Sequence, residues 1–187
     1  MHHEDLFINA AWLPLVNILK DLGTLTDSQL KLDLHINSMV AKAHARACLI
    51  FRCFVSKDRD SLIKAFITYV RPLVEYVSCV WSPRSVGIIR KIEEVQKRFT
   101  KRLPGLKVLD YHERLAFLGL ESLELRRLKA DLCMTYKIMF ILVNLNVDNF
   151  FAVRTNKITR GHPYTLVKPL CKVLCRSNLF AYRVVNP

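Results

Sequence analysis

The chain has 187 residues, enough for one domain or two small ones, and 51% of them are hydrophobic, which excludes wholesale disorder. The formal net charge of +13 at pH 7 says nothing about the fold. It does predict attraction to polyanions, with nucleic acid as the first candidate and an anionic membrane surface as the second.

The N-terminal residues carry neither a secretion signal nor a membrane span. Residues 1–5 are acidic where a signal peptide is basic, and the apolar run at 6–19 is too short to cross a bilayer. We therefore expect a nuclear or cytoplasmic protein that is not secreted and has no membrane partner.

A turn is predicted at 22–23, and Asp27 begins a second turn before a short strand at 30–32.

Residues 27–103 are predicted to form a three-helix bundle, because apolar residues recur there at i, i+3, i+4 and i+7. The first helix spans 34–54 with Asp33 as its N-cap, and the second starts at its N-cap Asp60. Pro72 should kink or end the second helix, since proline lacks a backbone N–H.

The third helix, at 85–103, carries the strongest physical signal in the sequence. Its apolar stripe comprises Ile88, Ile92, Val95, Phe99 and Leu103. Opposite the stripe, one row of cations lies within about 40° of arc and a second row runs beside it. The first row is Arg90, Lys97 and Lys101, and the second is Lys91, Arg98 and Arg102.

Two parallel rows of cations suit the task of following a phosphate backbone, so this helix is predicted to bind nucleic acid. Lys42 and Arg46, which lie off the apolar stripe of the first helix, complete the predicted binding set. The alternative for both helices is a solvated face, the usual role of a charge run.

Two regions follow the bundle, and with it they predict a mainly α fold. Residues 104–148 should form a second helical unit with a long helix at 123–143, capped by Ser122. The buried face predicted for that helix comprises Leu125, Leu128, Leu132, Tyr136 and Met139. Residues 149–187 hold seven Lys or Arg and no Asp or Glu, and we expect a basic tail of extended or irregular structure.

No residue pattern predicts a cofactor or a metal site. Four of the six cysteines lie in apolar helical patterns, where we expect small hydrophobic thiols. Cys171 and Cys175 form a close pair, but His162 alone does not complete a zinc set. Glu93 and Glu94 point about 100° apart on a helix and cannot converge on one bond. We expect them to pair instead with Arg90, Lys97 and Arg98.

Six motifs occur in a fixed order along the chain. The first is KDLG at 20–23 with LHI at 34–36, and the second is YVRPLVEY at 69–76 followed by Ser78 and by VWSP at 80–83. The third is IEEVQKRFTKRL at 92–103. The last three are the set Tyr111, Glu113, Arg114 and Leu115, the set Leu120, Leu123, Arg126 and Arg127, and RGH at 160–162. This ordered set resembles the region that follows the palm in reverse transcriptases of jockey-like non-LTR retrotransposons. One such motif would be weak evidence, whereas six in order make chance an unattractive explanation.

The resemblance implies that residues 1–26 end a palm and that 27–103 form a thumb that grips a template–primer duplex. In that family, polymerase chemistry needs paired aspartates that hold two metal ions. The chain has no Asp-Asp pair, and the nearest approach, at 58–60, is expected to be a loop acid and a helix N-cap. We therefore expect a nucleic-acid-binding fragment of an RNA-directed DNA polymerase without enzyme activity of its own.

Two other functions stay open. One is a helical protein-interaction module, domesticated from such an element, whose apolar faces meet a partner. The other is the non-functional translation of a decayed element. The sequence does not indicate an oligomeric state.

Overall fold

The computed structural model describes residues 7–8, 11–12, 16–154, 164–168, 170, 176 and 178–185, and confirms a mainly helical chain. The strands are β1 (Phe7–Ile8), β2 (Ala11–Trp12), β3 (Ile18–Asp21) and β4 (Thr24–Asp27). The helices are α1 (Asp33–Cys53), α2 (Arg59–Ala65), a π-helical segment (Phe66–Val70), α3 (Arg71–Glu75), α4 (Ser78–Trp81), α5 (Val86–Lys101), α6 (Tyr111–Leu118), α7 (Leu123–Met139), a 3-10 turn (Val147–Asn149) and α8 (Phe180–Val185). The chain divides into two compact units, Met1–His35 and Ile36–Pro187.

The N-terminal unit holds two antiparallel strand pairs, β1 with β2 and β3 with β4. The turn predicted at 22–23 is confirmed, since Leu22 and Gly23 join β3 to β4 with φ angles of 44° and 88°. The strand predicted at 30–32 is wrong. The Asp27 carboxylate accepts hydrogen bonds from the backbone N–H groups of Gln29 and Lys31 there, and so holds a turn instead.

The core of the second unit forms where α1, the π-helical segment and α5 meet. Of the stripe predicted for α1, Phe54 lies beyond the helix and is half-buried, and the other seven residues are buried as predicted. They are Ile36, Met39, Val40, Ala43, Ala47, Ile50 and Phe51. On α5, Ile92, Val95 and Phe99 are buried as predicted, Leu103 is buried just beyond the helix, and Ile88 is half-buried. The Phe99 ring centroid lies 4.8 Å from that of Phe51 and 4.5 Å from that of Phe66.

The second predicted helix is divided by a π-helical segment that ends just before Pro72. The prediction that Pro72 disturbs the helix is confirmed, because the Arg71 N–H reaches back five residues to the Phe66 carbonyl. The N-cap predicted at Asp60 is wrong by two residues. Asp58 has the extended backbone of a cap, and its carboxylate accepts from the Ser61 N–H at 2.9 Å, so the helix begins two residues earlier than predicted.

Helix α7 begins as predicted but buries the opposite face. Ser122 is its N-cap and accepts from the Leu125 N–H at 3.2 Å. The predicted buried residues are largely exposed, at 41% for Leu125, 37% for Leu128, 49% for Leu132 and 57% for Tyr136, and Met139 is half-buried. We call the first four residues the outer seam. Buried in their place are Leu123, Arg127, Asp131 and Ile138.

The helix also ends four residues before the predicted limit of 143. Ile141 adopts a left-handed φ of 54°, and the Leu142 N–H donates to the Lys137 carbonyl at 2.8 Å, a closing bond of the Schellman type.

A buried ion pair explains why charged residues of α7 face inward. Arg183 of α8 donates to both carboxylate oxygens of Asp131, at 2.8 and 3.0 Å, and both side chains are buried. The same guanidinium donates to the backbone carbonyls of Cys79, Ser82 and Asn178. The basic tail, expected to be extended or irregular, thus contributes a short helix, α8, that is held against α4 and α7 by these hydrogen bonds.

Helices on both sides of residue 103 belong to the same compact unit. Helix α5 packs against α6 and α7, and α7 also packs against α3, α4 and α8. Among the described helices, none combines the length and the apolar character that crossing a membrane requires.

Candidate nucleic-acid interface

The exposed side of α5 carries the six cations predicted to follow a phosphate backbone. All six residues are exposed. Arg90, Lys97 and Lys101 lie opposite the buried Ile92, Val95 and Phe99, and the second row lies on the flank of the helix between them and the buried stripe. We call this surface the α5 cation face, defined by Arg90, Lys91, Lys97, Arg98, Lys101 and Arg102. Glu94 lies between its two rows and reduces the local positive potential without cancelling it.

The two rows differ in how firmly the fold holds them. The second row is anchored, since Lys91 donates to Asn37 Oδ1 and Arg98 Nε donates to Glu94 Oε1 at 2.9 Å. Arg102 lies 4.2 Å from the centroid of the Phe51 ring. Within the described residues, the side chains of the first row have no acidic partner within ion-pair distance. That row is therefore available for an external anion.

A buried polar network, which the sequence pattern does not reveal, fixes the rotation of α5 about its axis. Gln96 and Thr100 are buried beside the apolar stripe. Gln96 Nε2 donates to the Glu121 carbonyl at 2.9 Å, and the buried Arg114 of α6 donates to Thr100 Oγ1 at 3.2 Å. These bonds leave the α5 cation face with one orientation. A polar residue next to an apolar stripe resembles a surface residue, so periodicity gives no signal for this network.

Glu93 does not pair with the basic residues of α5, and that prediction is wrong. Its carboxylate accepts from the backbone N–H groups of Leu123 and Glu124, both at 3.1 Å, and so caps the N-terminus of α7. It also accepts from the hydroxyl of Tyr111, and burial, together with this bond, raises the pKa of that hydroxyl. The pairing predicted for Glu94 with Arg98 is confirmed.

Lys42 and Arg46 are exposed but do not join the α5 cation face. The side of α1 that meets α5 carries His44 and Cys48. At 100° per residue, Lys42 lies about 160° from His44, and Arg46 lies about 160° from Cys48. Arg46 Nη1 instead donates to the Tyr69 carbonyl at 3.4 Å, on the π-helical segment. The structure thus places these two cations on a different side of α1.

A groove of about 350 Å³ lies between α1 and α5, and we call it the α1–α5 groove. Its floor is apolar and consists of Ala47, Phe51, Val95 and Phe99. Its mouth is formed by His44 and Cys48 from α1 and by Arg98, Lys101 and Arg102 from α5. The groove therefore combines an apolar base with a cationic rim and borders the α5 cation face.

The imidazole of His44 should make the fold less stable in acid. Partial burial in the groove, and then the charge of Arg98, hold the pKa of His44 below its usual 6.5. The unfolded chain then binds this proton more readily than the folded chain does. The folded chain therefore has its full stability above pH 6.5, where His44 is neutral in both states. It loses the part that depends on a neutral His44 as the pH falls from 6.5 through the lower pKa of the folded state.

We expect His44→Gln to reduce the loss of stability on acidification. Urea midpoints of both proteins at about pH 7.5 and about pH 5.5 provide the check. If the midpoint falls equally in the wild type and the variant, His44 makes no contribution to the pH dependence.

The acids and thiols outside this face are candidate metal ligands or helix caps. In the described part of the chain, no three His, Cys, Asp or Glu side chains are grouped to hold a metal ion. Asp58 caps α2, and its bond from Ser61 lowers the pKa of its carboxyl.

Of the described cysteines, Cys48, Cys53 and Cys133 are exposed free thiols, so the expectation that they act as small hydrophobic residues of the apolar stripes is wrong for these three. Burial and the nearby Asp131 raise the pKa of the half-buried Cys79 to about 11, which keeps that thiol protonated. The pair at Cys171 and Cys175, and His162, lie outside the described residues.

Comparison with known proteins assigns no family to the chain. No family model matches it, and no solved structure matches it. The chain is similar to an uncharacterized protein of Caenorhabditis elegans, with 26% identity over 115 residues. The matched region covers 60% of this chain and 58% of that protein, so the chain spans less than two-thirds of its relative's length.

Proposed function

We propose that the helical unit binds the phosphate backbone of a nucleic-acid duplex through the α5 cation face. The observation that carries this proposal is the arrangement of six exposed cations at helical pitch on one side of a helix whose rotation is fixed. Each cation can neutralise one phosphate and release its condensed counterion. Binding of this kind is largely independent of base sequence, because phosphate contacts carry no sequence information.

The jockey-like resemblance supports a more specific form of the proposal. In that form the chain is the thumb and post-thumb part of a reverse transcriptase, and its natural ligand is a template–primer duplex. The α5 cation face coincides with the motif at 92–103 and with the two residues before it.

The experiment compares two matched pairs of neutralised cations. Lys97→Ala with Lys101→Ala removes two charges from the α5 cation face, and Lys42→Ala with Arg46→Ala removes two from the far side of α1. Each phosphate contact contributes about 0.9 log units of affinity per decade of salt below about 1 M. At about 0.1 M salt, loss of two contacts in the first pair should therefore weaken duplex binding roughly 60-fold. The second pair should weaken it far less. Equal losses would show that the net charge acts diffusely.

The same proposal predicts that the chain does not extend a primer. Nucleotide transfer by two metal ions needs carboxylates that converge on both of them, and the chain has no Asp-Asp pair. We expect no incorporation of nucleotides on any primer–template with Mg²⁺ or Mn²⁺. Template-dependent incorporation that persists in a control for contaminating polymerase would contradict this expectation.

The outer seam of α7 favours a second candidate function, a helical protein-interaction module. Leu125, Leu128, Leu132 and Tyr136 follow one line on the helix surface at i, i+3, i+7 and i+11, a spacing suited to pairing with another apolar helix. Self-association that Leu132→Glu abolishes, together with no binding to any duplex, would favour this candidate over the nucleic-acid proposal.

A further inference from the structure

The α1–α5 groove has a feature that an interface for backbone phosphates alone does not require. Its floor is formed by buried apolar side chains, among them Phe51 and Phe99. A phosphate gains nothing from an apolar surface, whereas a planar, weakly polar group does. The groove therefore suits a ligand that is anionic at one end and aromatic at the other.

Arg102 provides a flat surface at the mouth of this groove. Its guanidinium lies 4.2 Å from the Phe51 ring centroid, and Nη1 lies 3.7 Å from Cys48 Sγ. These two contacts hold the guanidinium on one side, while the residue as a whole stays exposed. A guanidinium plane with one supported face can stack a nucleobase on its other face.

The rim supplies the matching positive charge. Arg98 and Lys101 are exposed beside Arg102 and belong to the α5 cation face. A phosphate held by Arg98 and Lys101 would bring the base attached to it to the mouth of the groove. The cations that would bind the phosphate and the surface that would stack the base thus lie side by side, as the phosphate and the base do in a nucleotide.

We propose that the α1–α5 groove receives an unpaired nucleotide next to the bound duplex, with its base on Arg102 and its phosphate on Arg98 and Lys101. This inference rests on the proposed function, since the α5 cation face must first hold the duplex. The groove borders two turns of each helix, about 10 Å at 1.5 Å per residue, which is short for an amphipathic peptide helix with anchors over several turns. Its volume of about 350 Å³ lies near the lower end of the range for small-ligand sites, roughly 300–1,000 Å³.

The test measures the ratio of affinities for a short DNA duplex with and without a single-stranded overhang. The overhang carries 2-aminopurine, whose fluorescence reports stacking. The wild type should bind the overhang duplex at least about fivefold more tightly and quench the probe, since a stacked base contributes on that order. Arg102→Lys keeps the charge but removes the plane, and should bring the ratio close to one and restore the fluorescence.

Two further variants separate stacking from charge. Lys97→Ala lies outside the groove and should weaken binding to both duplexes while leaving the ratio unchanged. Cys48→Leu should crowd the mouth of the groove without offering a planar surface, and should lower the ratio as Arg102→Lys does. Circular dichroism confirms that each variant is folded.

Three other outcomes would contradict either the inference or the proposed function. Equal affinity of the wild type for both duplexes, or a ratio that Arg102→Lys leaves unchanged, would overturn the inference and leave the proposed function standing. Failure of the wild type to bind either duplex would overturn the proposed function itself. Binding of an acidic amphipathic peptide that depends on Arg102, without any preference for the overhang, would assign the groove to a protein partner instead.

Discussion

Replacing Asp131 with asparagine should lower the free energy of unfolding by about 3–5 kcal/mol. Asp131 is buried, and both of its carboxylate oxygens accept from the buried guanidinium of Arg183. The variant leaves that guanidinium with neutral carbonyl partners only. Desolvation of a charge without its counterion is the cause of the loss. Urea unfolding followed by circular dichroism gives the free energy.

A double variant distinguishes the cost of the unpaired charge from the cost of the lost contact. Asp131→Leu with Arg183→Met replaces the ion pair by apolar groups of similar length. The double variant should be more stable than Asp131→Leu alone or Arg183→Met alone, because no buried charge then lacks a partner. If the two single losses add in the double variant, Asp131 and Arg183 do not act as a pair. Retention of full stability by Asp131→Asn would show that α8 does not pack as described.

Replacing Leu123 with alanine should cost about 2–5 kcal/mol, whereas the same change at Leu132 should cost less than about 1 kcal/mol. Leu123 is fully buried at the start of α7, and its removal leaves a cavity. Leu132 is half-exposed on the outer seam, where little packing is lost and alanine favours the helix. The Glu93 cap is retained in Leu123→Ala, since it binds the backbone N–H of residue 123. Equal losses of stability in the two variants would instead support the orientation predicted from the sequence, in which Leu132 is buried.

These two predictions concern the part of the fold that periodicity placed wrongly. A helix with apolar residues at every third or fourth position has an obvious candidate for its buried face, and for α1 and α5 this rule predicted the buried residues correctly. For α7 it failed, because the opposite face carries Asp131, whose partner Arg183 lies 52 residues further along the chain. A local pattern contains no information about a partner at that distance, so a buried ion pair is read as solvent-exposed charge.

The candidate interface shows the same division between local and distant information. The exposure of Arg90, Lys97 and Lys101 followed from the helical pitch alone. The role of Glu93 did not, since it depends on α7, 30 residues away. The exclusion of Lys42 and Arg46 from the α5 cation face required the side on which α1 packs against α5. The two-residue turn at 22–23 was predictable because glycine readily adopts a positive φ.

The salt dependence of duplex binding tests the central claim most directly, because it counts the phosphates that the protein neutralises. If all six residues of the α5 cation face engage, the logarithm of the binding constant should fall with the logarithm of salt concentration at a slope of about −5. The Lys97→Ala, Lys101→Ala variant should flatten this slope by nearly two units, with its circular dichroism unchanged. Equal slopes for the wild type and the variant would show that this helix face is merely solvated.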